Sequence, residues 1–323
     1  MSLAPHTPID ADTAGPFTKR VREFCLAQRI TLHEDAAFST QAQSGSLLKP
    51  VRLPVSPRDR SKSSDASLQS LLERLKRWIA LQNTHLIQFQ GLYLNTGASQ
   101  LFFISEASDS KLSNVIGSEK DQLNKLSCLQ DILSGLSYLH RHQFVHGNIR
   151  GDNIFIKADG KFCLGEFAPA RLPSPDCLVE AEAWSAPELF DSGRIRNALI
   201  DGWRDYAGEY TYASDLFAIG CIAVLIYTGE PPLPQRFPPN ARSHRDLWAL
   251  VRQPSPIEKL AIPPKIWPVI SIMLRYNPKN RMSASQLLTA LMNPNPVKTA
   301  NLLADVPSIL ARSQARRLMR SGI

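Results

Sequence analysis

Residues 123–142, LNKLSCLQDILSGLSYLHRH, carry an apolar stripe at helical spacing, and the chain passes from them almost directly into the polar loop HGNIRGDN, 146–153. Two short apolar segments follow in NIFIKADGKFCLG, 153–165, with Asp159-Gly160 between them as the dipeptide of a tight hairpin turn. A long helix, a polar loop and a hairpin in immediate succession fix three elements and the place where they meet. No other stretch of the chain constrains its folding as strongly.

The remainder divides into a strand-rich part and a helical part. Residues 1–20 are small, polar and proline-containing at their start and read as a tail. RITLHEDAAF and SLLKPVRLPV are each expected to supply a short strand, and SPRDRSKSSDAS, 56–67, reads as a polar loop. Leu68, Leu71, Leu72, Leu75, Trp78 and Ile79 recur at helical spacing, which predicts an amphipathic helix over Leu68–Leu81. LIQFQGLYLN and QLFFISEA alternate or run apolar as paired strands do. Beyond Ser110 the pattern turns helical, and after residue 180 it consists of helices with proline-rich connections. The longest apolar run, Leu216–Tyr227, is too short to span a bilayer and reads as a buried core helix. The fold class expected is α+β, a small strand-rich part with one helix preceding a larger helical part.

Composition excludes several functions. Five cysteines (Cys25, Cys128, Cys163, Cys177, Cys221) are scattered without a C-x-x-C pair, so neither a zinc site nor a disulfide framework is expected and a reducing cytoplasmic or nuclear compartment fits. The first twenty residues lack an apolar core behind a basic start, so no signal peptide is expected. The formal charge of +8 suits acidic partners, yet no basic stripe interleaved with aromatics marks a nucleic-acid surface, and nucleic acid is not expected as a partner.

The loop and its surroundings resemble the protein kinase family. His146-Gly147-Asn148 falls on the H-R-D triplet, Asn153 lies five residues past Asn148, and Glu166-Phe167-Ala168 falls on D-F-G thirteen residues after Asn153. Ala186-Pro187-Glu188 is an intact A-P-E. ASDLFAIGCIAVLIYTGEPP looks like the family's central helix with Asp215 as its buried acid, and LRYNPKNRMSASQLL looks like its closing helices, with Arg281 the expected partner of Glu188. The match keeps its order from Leu68 to Leu288. Aminoglycoside phosphotransferases share an H-G-D loop but lack A-P-E and the central acid, so the protein kinase comparison is the better one.

The resemblance implies a two-lobed fold: a degenerate N-lobe over 21–106 with Leu68–Leu81 as its regulatory helix, a C-lobe over 107–292, and a basic extension over 293–323. It also assigns roles. Asn148 stands at the catalytic base, with His146 and Arg150 in the same loop; Asn153 and Glu166 stand at the metal positions; Glu188, Asp215 and Arg281 are architectural. Nucleotide contacts would come from Ser105, Glu106 and Ala107 at the hinge, from Lys49 or Arg52 as the phosphate-gripping base, and from Glu73 as its acid, although Arg74 is nearer that place by spacing.

Departures from the pattern shape the functional expectation. Asn148 has an amide where the reaction wants a proton acceptor. Glu166 is one methylene too long for the usual magnesium geometry. No G-x-G-x-x-G occurs in the first hundred residues, and Gly147 replaces the arginine that would read a phosphorylated segment. The expected function is therefore a catalytically impaired kinase-like protein, a pseudokinase acting as a signalling scaffold or allosteric partner. The alternatives are a weakly active serine/threonine kinase and a nucleotide-binding switch without transfer. A retained site would take ATP with Mg2+ or Mn2+. Protein partners are expected at 189–212, which carries Trp203, Tyr206, Tyr210 and Tyr212, or at the basic extension, where Arg312, Arg316, Arg317 and Arg320 lie on one face of an expected helix.

Overall fold

The computed structural model describes residues 16–34, 46–51, 63–95, 100–106, 108–116, 123–166, 184–189, 210–230 and 262–293. They fall into two compact units, one holding the described residues up to Gln82 with those of 87–108, the other holding Asn83–Leu86 and the described residues from Asp109 onward.

The first unit is a sheet with two helices. Its strands β1 (Leu32–Glu34), β2 (Ser46–Val51), β3 (Phe89–Asn95) and β4 (Gln100–Glu106) are ordered β1-β3-β4-β2. β3 and β4 form the expected antiparallel pair, with Leu92 opposite Phe103 and Leu94 opposite Leu101. β2 joins the far side of β4 in antiparallel register, and β1 adds to β3 in parallel. Pro50 pairs with Phe102 on β2, an edge strand among those described, where one face of the backbone has no ladder to feed and a missing N–H is tolerated.

One helix of this unit was not expected, and the other starts earlier than predicted. α1 (Pro16–Gln28) begins five residues inside the segment assigned to a tail. Proline opens a helix well, and Thr18, Val21 and Cys25 form a buried stripe that a mobile tail would lack. α2 (Ser63–Ile79) starts before Leu68, within the expected polar loop. Ser63, Ser64 and Asp65 suit a helix's first turn, so the polar stretch is in part a helix start. Leu71, Leu72, Leu75 and Trp78 make the buried face of α2.

The second unit is helical around a three-stranded sheet. Strands β5 (Ser110–Lys111), β6 (Ile154–Ile156) and β7 (Phe162–Leu164) lie in that order. The β6–β7 hairpin turns as predicted, with Gly160 at φ +78° and the Lys161 N–H donating to Asp159 Oδ1 at 3.1 Å. α3 (Leu112–Val115) follows β5, and α4 (Lys125–Arg141) realises the long striped helix, capped by Asn124 accepting from the Ser127 N–H. Inside α4, Gly135 faces the His85 carbonyl so closely that a Cβ there would sit 2.6 Å from it. α5 (Tyr212–Thr228) is the buried apolar run, opened by a Thr211–Ser214 capping box and closed by Gly229 in the left-handed region. α6 (Trp267–Met273) and α7 (Ala284–Met292) complete the described helices.

Cys25, Cys128, Cys163 and Cys221 are all buried as free thiols, and burial pushes the Cys128 and Cys221 thiols well up from their ordinary range. No helix among the described residues is long and apolar enough to cross a membrane.

Candidate active site

One carboxylate fastens the loop 146–148 to the core. Asp215, in the first turn of α5 and nearly fully buried, accepts from the His146 N–H on Oδ2 and from the Gly147 N–H on Oδ1, both at 2.8 Å. An acid is doubly favoured there, by two backbone donors and by the helix N-terminus. His140, in the last turn of α4, reaches Asp215 Oδ2 with Nε2 at 3.1 Å. Sequence reading passed over His140; its only signal is a polar residue at the end of a stripe whose other members are core. Gly147 has φ +73°, so the residue in place of the family's arginine also takes a left-handed backbone that glycine enters without strain.

The catalytic-loop candidates form a single network. His146 is fully buried, and both ring nitrogens are engaged: the Asn148 N–H donates to Nδ1 at 3.2 Å, while Nε2 lies 3.0 Å from the Gly165 carbonyl. An acceptor Nδ1 beside a carbonyl-facing Nε2 selects the tautomer with hydrogen on Nε2. Asn148 donates from Nδ2 to the Glu166 carbonyl at 2.8 Å, and its own carbonyl accepts from Asn153 Nδ2 at 2.8 Å. Asn153 is fully buried, donates its N–H to the Arg150 carbonyl at 2.9 Å, and accepts the Gly165 N–H at 3.0 Å. Arg150 thus shapes the loop through its backbone at the head of the turn Gly151–Asn153. Asp152 next to Asn153 accepts from Ser113 Oγ at 2.6 Å.

Glu166 closes the network and has φ +58°, a left-handed conformation that costs a non-glycine residue about 1–2 kcal/mol. Both of its carboxylate oxygens are buried. Among the described residues no group of three or more His, Cys, Asp or Glu side chains could hold a metal. The pair that the family resemblance assigns to a metal is Glu166 with the side-chain oxygen of Asn153, whose nitrogen is committed to Asn148. Carboxylate and amide oxygens are the hard donors Mg2+ and Mn2+ accept, with water and phosphate oxygens completing the shell, so the donor set fits such an ion. Phe167 and Ala168 lie outside the described residues.

The architectural acid and base come together. Glu188, on a turn over Pro187–Leu189, receives Arg281 Nη2 on Oε2 at 2.8 Å and Arg281 Nη1 on its other oxygen. The guanidinium also donates to the Ala213 and Arg275 carbonyls at 2.9 and 2.8 Å and lies 5.0 Å from the Phe217 ring centre. Ala186, Leu189, Phe217 and Cys221 form the apolar cluster beneath it, with Trp184, Tyr210 and Leu274 packed around. Tyr210 is thus a packing residue here, and Tyr212 stacks on His140 at 4.6 Å. Residues 190–209 and the extension beyond Asn293, both named as partner surfaces, lie outside the described residues.

In the first unit the nucleotide candidates fare unequally. Lys49 lies on β2 opposite Phe103, whereas Arg52 falls just outside the described residues. Ser105 and Glu106 end β4; Glu106 accepts the Gln88 N–H on Oε1 at 2.9 Å, and its own N–H reaches the Gln88 carbonyl at 3.0 Å. Ala107 is outside the described residues. Glu73 is exposed, opposite the Leu71–Leu75–Trp78 face of α2, and accepts from Gln69 at 3.3 Å. The helical period that buries the leucines is what turns Glu73 outward.

Comparison with known proteins places this geometry. The model of the protein kinase domain family matches residues 55–291. The chain is 26% identical over 200 residues to serine/threonine-protein kinase TAO2 of Xenopus laevis, covering 61% of this chain and 18% of that protein. It is 25% identical over 294 residues to mitogen-activated protein kinase kinase kinase 5 of Arabidopsis thaliana, covering 88% of this chain and 38% of that protein. Mitogen-activated protein kinase kinase kinase 1b of Physcomitrium patens is 22% identical over 271 residues, which is 82% of this chain and 33% of that protein. The chain therefore spans well under half the length of these relatives. A strand-bearing first unit, a mostly helical second unit and a family match across most of the sequence lead to one conclusion: the chain belongs to the protein kinase domain family.

Proposed function

We propose that this chain is a serine/threonine-type protein kinase domain that uses ATP with Mg2+ or Mn2+ and transfers phosphate slowly. One observation carries the reading: buried Asn153 and the buried carboxylate of Glu166, the two residues that the resemblance assigns to metal, occur on a single hydrogen-bonded loop network. Relatives named as serine/threonine kinases and MAP kinase kinase kinases support the class. The ion would neutralise charge on the transferring phosphoryl group. His146 holds the Gly165 carbonyl and so positions Glu166, while Asn148 orients a hydroxyl without taking its proton. A general base contributes about a hundredfold to ten-thousandfold, so its loss slows transfer by that order without abolishing it. In this reading the N-lobe covers 21–106 with Lys49 as its strand base, the C-lobe covers 107–292, and 189–212 and 293–323 serve protein partners in the cytoplasm or nucleus.

A separate observation favours a second reading, a pseudokinase acting as scaffold or allosteric partner. Asn148 commits its amide nitrogen to the Glu166 carbonyl. Thermal unfolding with ATP, with and without Mg2+ or Mn2+, separates the two. The kinase reading expects a metal-dependent rise in Tm that Glu166→Ala abolishes. No shift at millimolar nucleotide would leave the scaffold reading.

A further inference from the structure

We propose that Asn148 is a positioning residue for Glu166, and that an amide at 148 is a structural requirement of this chain rather than a degraded base. Two consecutive carbonyls, those of Gly165 and Glu166, are each received by a side-chain N–H from the loop 146–148: Nε2 of His146 at 3.0 Å and Nδ2 of Asn148 at 2.8 Å. The second bond is set by polarity. A carbonyl only accepts, so the residue facing it must donate, and an ionised aspartate at 148 has nothing to donate. Between these two bonds lies a non-glycine residue in the left-handed region, Glu166 at φ +58°. Such a conformation persists only where its surroundings over-determine it. The pair of bonds is that determinant, and Asn153 Nδ2 in turn fixes the Asn148 carbonyl at 2.8 Å, so the clasp is tied at both ends.

The consequence concerns repair of the site. Restoring the family's aspartate by Asn148→Asp replaces a donor with an acceptor opposite the Glu166 carbonyl. The base is regained in chemistry and Glu166 is lost in position.

A four-protein cycle on the full chain tests this: wild type, Asn148→Asp, Glu166→Gly, and both together, each by thermal unfolding. Losing one hydrogen bond and leaving a polar group facing a carbonyl lowers Tm by about 2–6 °C in Asn148→Asp. Glycine takes the left-handed backbone unaided, so in the Glu166→Gly background the same change costs less than half as much. Equal losses in both backgrounds, or no loss in Asn148→Asp, would overturn the clasp. Should Asn148→Asp fail to fold, Asn148→Ala runs the same cycle. A second arm rests on the proposed metal role of Glu166. The rise in Tm produced by ATP with Mn2+ shrinks in Asn148→Asp although that protein has gained a carboxylate, and a larger rise contradicts the clasp. No rise in the wild type counts against the proposed function alone, and the cycle then decides the clasp.

Discussion

Arg281 reaches Glu188 across ninety-three residues of sequence and binds both of its carboxylate oxygens, with the arginine side chain fully buried and the glutamate one-fifth exposed. The same guanidinium serves three backbone carbonyls, at Ala213, Arg275 and Tyr276. It therefore ties together the turn at 187–189, the start of α5 and the segment before α7. Removing one partner of such a buried pair strands the other and costs about 3–5 kcal/mol. Arg281→Ala is expected to lower Tm by on the order of 10 °C. The double change Arg281→Met with Glu188→Leu, which removes both charges and keeps volume, recovers at least half of that loss. Thermal unfolding of the three proteins checks it, and simple additivity would contradict the account.

Asp215 is the second fastening. Asn at this position keeps one acceptor oxygen for two backbone donors, so Asp215→Asn leaves either the His146 or the Gly147 N–H poorly served. Hydrogen bonds to a charged group contribute about 1.5–3 kcal/mol. Amide exchange across 146–148 should quicken at least tenfold while β3 and β4 of the other unit exchange as before. Uniform acceleration over the whole chain would show that Asp215 acts globally rather than on this loop.

The parallel edge strand β1 depends on a missing side chain. A Cβ on Gly91 would lie 2.7 Å from the Thr31 carbonyl, which accepts the Leu92 N–H at 2.9 Å. Gly91→Val should detach β1 from β3 and cost about 1–3 kcal/mol, as overpacking does. Exchange or limited proteolysis near Leu32–Glu34 reports the detachment. Undisturbed protection there would mean that β1 is held by other contacts.

Packing against the Ala186–Phe217 cluster pushes the Tyr210 hydroxyl up to about 12, mainly by burial and further by the Asp215 charge. Burial, with a smaller contribution from Cys128, takes Tyr227 to about 12 as well. A raised pKa means that the folded state holds the proton more tightly than the unfolded chain does. The associated stability is complete below pH 10, the ordinary value, and is lost as pH rises through about 12. Denaturant midpoints should thus fall between pH 10 and 12, and Tyr210→Phe should flatten that fall. An unchanged slope in Tyr210→Phe would remove Tyr210 as its source.

What was legible in the sequence depended on local rules. The helix α4, the loop after it and the Asp159-Gly160 hairpin follow from a helical period and turn chemistry within forty residues, and the apolar run of α5 could only be core. The pairing of Glu188 with Arg281 came from family resemblance, since nothing local links residues so far apart. Other features were set by packing. β1 is three residues long and exists through its register with β3. The outward face of Glu73 became clear only once the leucines of α2 were buried. His140 gains its meaning from Asp215, seventy-five residues away. At Asn148 the residue type was legible in the sequence, whereas the direction of its amide, toward the Glu166 carbonyl, was not.

The most direct test of the central claim is single-turnover transfer of labelled γ-phosphate from ATP, with Mg2+ or Mn2+, to serine- and threonine-containing protein substrate, in the chain and in Glu166→Ala. The account predicts transfer about a hundredfold to ten-thousandfold slower than a kinase with its base intact, abolished in Glu166→Ala. Transfer that persists unchanged in Glu166→Ala, or none at all in the unaltered chain despite saturating nucleotide and metal, would contradict it.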